Sequence, residues 1–239
     1  MSPQLESIYR VIAVLHFSVG TIALLTFWLA AVARKRRGLH TQVGRVYVWS
    51  MQAIVVTGVP LALAAFLRGK PVLGTFLIYL AVLVTATITI APRAVRLKHD
   101  YAAYRGGVFP WLAGALVLAT LMTLITGLIT GASLLVGFSI AGALASTGMI
   151  ATLRRRNVPA GWWLREHFGA MIGNGVGTHI AFLSIGLNRL LEGHQALLNP
   201  MLAWYGPLAI GVAIRIVLEV RHRRRFGRCA PNPTALAAG

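Results

Sequence analysis

Seven runs of about 20 predominantly apolar residues restrict the fold of this chain more than any other feature: Ile8 to Ala33, Val43 to Leu67, Val72 to Pro92, Val108 to Thr130, Ala132 to Leu153, Trp162 to Asn188 and Ala203 to Val220. At a rise of about 1.5 Å per residue, each run is long enough as a helix to cross the hydrocarbon of a bilayer. Lipid offers no hydrogen bonds to the main chain, so a helix, which satisfies its own amides, is the structure such runs adopt. Pro71, Pro110 and Pro159 stand at or just outside run starts, where a missing N–H is harmless, and Pro92 closes the third run. The fourth and fifth runs are joined only by Gly131 and its neighbours, which predicts a tight antiparallel hairpin. The expected fold is all-α: residues 1–228 form one integral membrane bundle of seven transmembrane helices, and residues 229–239, which have no periodicity, form a disordered tail.

Composition agrees. Of 239 residues, 57% are hydrophobic and 12% charged, against about 25% charged in a soluble domain. The net charge of +18 does not indicate nucleic acid, because the basic residues come in short clusters between apolar runs. Of the 23 Lys and Arg, 19 fall in one set of alternate loops or in the run ends beside them, led by Arg34 to Arg37, Arg154 to Arg156 and Arg221 to Arg225. The other set holds Arg10, Arg68, Lys70 and Arg189. That asymmetry puts the amino terminus outside and the carboxyl terminus in the cytoplasm of a bacterial inner membrane, with anionic lipids as partners of the basic face. Tyr47 and Trp49, Phe109 and Trp111, and Trp162 and Trp163 read as interfacial aromatics at the cytoplasmic ends, and Trp204 and Tyr205 at the outer face.

Several chemistries lack their residues. The five acids, Glu6, Asp100, Glu166, Glu192 and Glu219, lie in loops or at run ends, so no midplane carboxylate is available for ion coupling. The three lysines are also peripheral, which leaves a retinal Schiff base no attachment point. No nucleophile elbow, zinc-protease helix or phosphate loop is present, and the one cysteine, Cys229, has no partner.

Histidines remain. His99, His194 and His222 read as solvated loop or tail residues. His16 lies about 12 Å below the outer end of the first run and His179 about 13 Å below that of the sixth. His40 and His167 share the opposite, cytoplasmic boundary, about 18 Å from His179 along the sixth run. Two pairs at two depths are the ligand set for stacked bis-histidine b-type haems, in which iron held from both sides favours electron transfer. His167 and His179 point about 120° apart, so two haems require both helices of the first hairpin to flank the sixth. Plainer readings stand beside this one. His40 follows a basic cluster, His167 follows Arg165 and Glu166 in a polar network, and hydrogen bonds to Thr21, Thr178 or a carbonyl satisfy His16 and His179. Gly169, Gly173 and Gly177 form a ridge that admits a flat macrocycle or a neighbouring helix, and His167, Met171, Asn174 and Thr178 form a separate polar stripe.

Two blocks carry a resemblance. RRGLHTQVGRVYVWSM, Arg36 to Met51, and HFGAMIGNGVGTHIAF, His167 to Phe182, resemble patches of an uncharacterised family of bacterial multi-pass membrane proteins loosely grouped with two-haem b-type membrane cytochromes. The resemblance singles out His40, Gly44, Arg45, Tyr47, His167, Met171, Ala181 and Phe182. It does not extend to His16, and the family carries other residues at the positions of Gly175 and His179. It therefore implies the His40 and His167 pair first, holding one haem or one metal ion, with Arg45 set to neutralise a propionate or a lipid phosphate. The expected function is a b-type cytochrome-like electron carrier, alone or as a subunit of a respiratory or photosynthetic complex, exchanging electrons with a quinone or a cytoplasmic donor. The alternative is a cofactor-free structural or assembly subunit that packs against other membrane subunits and binds anionic lipid.

Overall fold

The computed structural model describes residues 3–34, 38–187 and 200–226, and these are helical with short connections. The helices are α1 (Pro3–Val32), α2 (Leu39–Leu67), α3 (Pro71–Arg96), the short α4 (Tyr101–Arg105), α5 (Val108–Thr130), α6 (Ser133–Arg154), α7 (Trp162–Ala181) and α8 (Pro200–Phe226). A π-helical turn, Phe182–Gly186, prolongs α7. Among the described residues, six helical stretches are long and apolar enough to cross a membrane: α1, α2, α3, α4 with α5, α6 and α8. They fit a multi-pass membrane protein. α7 falls outside that set because Arg165, Glu166, His167, Asn174, His179 and its glycines dilute its apolar content. The tail from residue 229, with Arg189, Glu192 and His194, lies outside the described residues.

The turn chemistry acts where expected, with one shift. Gly131 takes the left-handed conformation (φ 67°) after α5, and the following amide, of Ala132, returns to the Gly127 carbonyl at 2.9 Å, which closes the α5–α6 hairpin. Pro71 sits in the first turn of α3. Pro92, expected to end that helix, lies inside it, and α3 continues to Arg96. A proline lacks only its own N–H and so removes one bond, to the carbonyl four residues back, and Arg93 holds the last turn by donating to the carbonyls of Tyr104, Ala103 and Gly106.

α3 is the hub, packed by α2, α5 and α7, while α1 lies along α2, α6 along α5 and α8 along α7. Between α3 and α6, the Tyr79 hydroxyl donates to the Phe138 carbonyl at 2.7 Å, and Phe76 and Phe138 meet edge to face at 4.8 Å. Gly142 supplies the space, since a Cβ there would run into Tyr79 and Thr120. The aromatic pairs do not sit wholly at an interface. One member of each turns into the core, Tyr47, Phe109 and Trp162 being 2%, 0% and 7% exposed, while Trp49 and Trp111 are 65% and 79% exposed. Residues two apart on a helix, as Tyr47 and Trp49 or Phe109 and Trp111 are, point about 160° away from each other, so when one ring faces outward the other turns inward.

Candidate functional site

The end of the bundle where α1, α3, α6 and α8 finish and α2 and α7 begin carries Arg34, Arg96, Arg154 and Arg223 to Arg225, and is called the basic end here. Two histidines converge just inside it. Gly38, at φ 144°, turns the chain into α2, so that His40 occupies the first helical turn and its Nδ1 lies 2.9 Å from the Ala30 carbonyl of α1. His167 lies in the second turn of α7, with Nδ1 3.1 Å from the Ala91 carbonyl of α3. A carbonyl only accepts, so each Nδ1 donates. That fixes the tautomer and places the lone pair on Nε2. The ring centroids lie 6.4 Å apart, with planes at 79°, an edge-on approach.

This separation has a chemical meaning. Metal–imidazole bonds of about 2.0–2.1 Å, added to roughly 1.1 Å from each ring nitrogen to its centre, place two imidazoles on opposite sides of one ion roughly 6.3 Å apart. The outer-shell arrangement fits as well, because metal-bound histidines donate their second nitrogen to a carbonyl or carboxylate. Among the described residues no group of three or more His, Cys, Asp or Glu side chains is placed to hold a metal ion. Two imidazoles as the whole protein ligand set suit a centre that brings its own equatorial ligands, which is what haem does. Gly44, one turn above His40 on the same face, leaves open space beside the pair: an added Cβ there meets nothing within 4 Å.

Above the pair, α2 and α7 run parallel in one register. Tyr47 meets Asn174 and Met51 meets Thr178, each at the sequence separation of 127 that also relates His40 to His167. The helices meet through these side chains, with α3 packed against both. Asn174, 4% exposed, donates Nδ2 to the Tyr47 hydroxyl at 2.6 Å and accepts from Thr87 of α3 at 3.2 Å. The polar stripe of α7 thus faces α2 and α3 as a satisfied network.

The remaining sequence candidates lie elsewhere. His16 bonds Thr57 of α2 at 2.8 Å, and Thr57 in turn donates to the Ala53 carbonyl. His179 donates Nδ1 to the Gly175 carbonyl at 2.7 Å and accepts the Trp28 indole N–H on Nε2 at 2.8 Å, so both its nitrogens are engaged. The equal depth expected of them does not bring these two rings together, since His179 meets Phe27 and Trp28 of α1 while Phe17, next to His16, lies against Phe182 and Gly186. Helical side chains lean toward their own N-terminus, and on the antiparallel α1 and α7 that sends His16 and His179 in opposite directions. Arg45 is exposed and lies about 140° round α2 from His40. His99 is exposed, whereas His222 is half-buried, with Nε2 3.1 Å from the Gly161 carbonyl and its ring against Phe168 and Phe226. The glycine ridge divides too: Gly169 is pressed by Arg215, while Gly173 and Gly177 face open space.

Fold and site together define a class, a multi-pass helical membrane protein with a histidine pair at its basic end. No protein-family model, curated protein or solved structure matches the chain.

Proposed function

We propose that the protein is a b-type cytochrome-like electron carrier of a bacterial inner membrane, in which His40 and His167 would hold a single haem near the cytoplasmic face. The observation that carries this reading is the 6.4 Å ring separation, with both Nδ1 atoms held by carbonyls of other helices. A bis-histidine iron supplies one-electron exchange with no open position for ligand chemistry. The protein's part is to orient both imidazoles through Ala30 and Ala91 and to keep the ring gap constant through the Tyr47–Asn174 bridge. One haem is the favoured number, because the nitrogens of His179 are both committed and His16 is tied to Thr57. In this reading α7 is a seventh span, its polar residues turned inward, and the basic end faces the cytoplasm. Quinone or a soluble cytoplasmic protein is the electron partner.

A pyridine haemochrome assay on purified, haem-replete protein tests the stoichiometry. About one haem b per chain is expected; none removes the proposal, and two restores the outer pair. A cofactor-free assembly subunit is the competing reading, and its support is that Gly114, Gly137 and Gly148 of α5 and α6 face open space.

A further inference from the structure

α7 and α8 pack antiparallel with a steady register. His222 reaches the Gly161 carbonyl, Arg165 pairs with Glu219 at 3.1 Å, and Arg215 lies on Gly169. Arg215 is the anomaly in this ladder. It stands in an otherwise apolar stretch of α8, 11 residues before Phe226, which is about 16 Å inside the basic end. Its guanidinium rests on bare backbone: a Cβ on Gly169 would lie 2.6 Å from one of its terminal nitrogens. The Phe168 ring is 5.6 Å from its central carbon. The one acid a turn away, Glu219, is shared between Arg165 at 3.1 Å and Arg223 at 3.6 Å. Among the described residues Arg215 has no carboxylate or carbonyl partner, and it is exposed.

A guanidinium carries five N–H donors and is always charged. At bilayer depth, donors without acceptors are costly. The acceptor therefore comes from outside the described residues, and the side open to it is the lipid-facing side of α8. Val212 and Leu208, one and two turns deeper on the same face of α8, are 49% and 46% exposed, and Ile216 beside Arg215 is 58% exposed. An anionic group next to an apolar track is the outline of a phospholipid.

We propose that Arg215, seated by Gly169 and Phe168, binds the phosphate of an anionic phospholipid whose acyl chain lies along Val212 and Leu208. Gly169 is a positioning residue, because a Cβ there would run into the terminal nitrogens of the Arg215 guanidinium, and only a glycine lets that group rest on α7. The inference is independent of the haem reading.

Native mass spectrometry of the full chain in detergent tests it, with dioleoylphosphatidylglycerol, dioleoylphosphatidylcholine or inorganic phosphate added. The wild type is expected to retain one phosphatidylglycerol in preference to phosphatidylcholine, and Arg215→Gln to bind it about tenfold more weakly, the scale of a lost charge-assisted hydrogen bond. Arg221→Gln, at the same end but outside the cleft, is expected to change nothing. Equal retention by Arg215→Gln overturns the site, as does an equal loss in Arg221→Gln, which makes the attraction a general property of the basic end. Displacement of the lipid by inorganic phosphate overturns the lipid as the source of the anion. Should Arg215→Gln not fold, Arg215→Lys keeps the charge without the fork. A several-fold weaker retention is then expected, and unchanged retention overturns the site.

Discussion

Asn174 offers one amide carbonyl and two N–H donors, and Tyr47 and Thr87, both nearly excluded from solvent, present hydroxyls to it from two other helices. Replacing Asn174 with leucine leaves the Tyr47 hydroxyl without its donor and Thr87 without that acceptor. A buried polar atom left unsatisfied costs about 1–3 kcal/mol. Asn174→Leu is therefore expected to lower the thermal midpoint in detergent by several degrees, and Tyr47→Phe in the same background to recover part of the loss, because it removes the stranded hydroxyl. An additive double mutant contradicts the pairing. Part of this was legible in the sequence: the stripe His167, Met171, Asn174, Thr178 follows from helical spacing alone. Its partner was not, because Tyr47 beside Trp49 has the composition of an interfacial belt, and only the packing of α2 on α3 and α7 shows which ring turns inward.

Helix by helix, glycine distinguishes surfaces that hydropathy treats alike. Gly142 and Gly127 lie against neighbouring side chains, whereas Gly114, Gly137 and Gly148 on the same two helices face open space. The sequence shows small residues at regular spacing, but whether a given one packs inward depends on the rotation of each helix, which nearly uniform apolar runs do not record. Gly142→Val is expected to destabilise by about 1–3 kcal/mol through overpacking against Tyr79 and Thr120. Gly148→Val should stay within about 0.5 kcal/mol, as surface substitutions do. Detergent-melt midpoints of both variants check this, and equal midpoints contradict the assignment of inner and outer faces. At the same scale α7 shows what dilutes the apolar content of the sixth run. Its polar groups are satisfied inward by α2 and α3 and by α1 through Trp28, so its low apolarity reflects what it faces.

The molecule as a whole was the most legible. Helical class, the α5–α6 hairpin and the segregation of basic residues to one end follow from run length, one left-handed glycine and charge alternation. The histidine pairing was half legible. Depth along each helix grouped the four histidines into two levels, but depth omits the direction in which side chains lean. His40 and His167 lie ring to ring at 6.4 Å, whereas His16 goes to Thr57 and His179 to Trp28. The charge asymmetry also predicts a topology. A green fluorescent protein fused after Phe226 is expected to fluoresce, and alkaline phosphatase at the same place to be inactive. The reverse pattern contradicts a cytoplasmic carboxyl terminus.

The central claim is that His40 and His167 hold one low-spin haem. Dithionite-reduced minus oxidised absorbance spectra of purified wild type and of His40→Ala, His167→Ala, His16→Ala and His179→Ala variants address it directly, with circular dichroism to show that each is folded. A sharp b-type α band is expected in the wild type, in His16→Ala and in His179→Ala, and its loss in folded His40→Ala and His167→Ala. A flat wild-type spectrum, or an α band that survives both His40→Ala and His167→Ala, contradicts it.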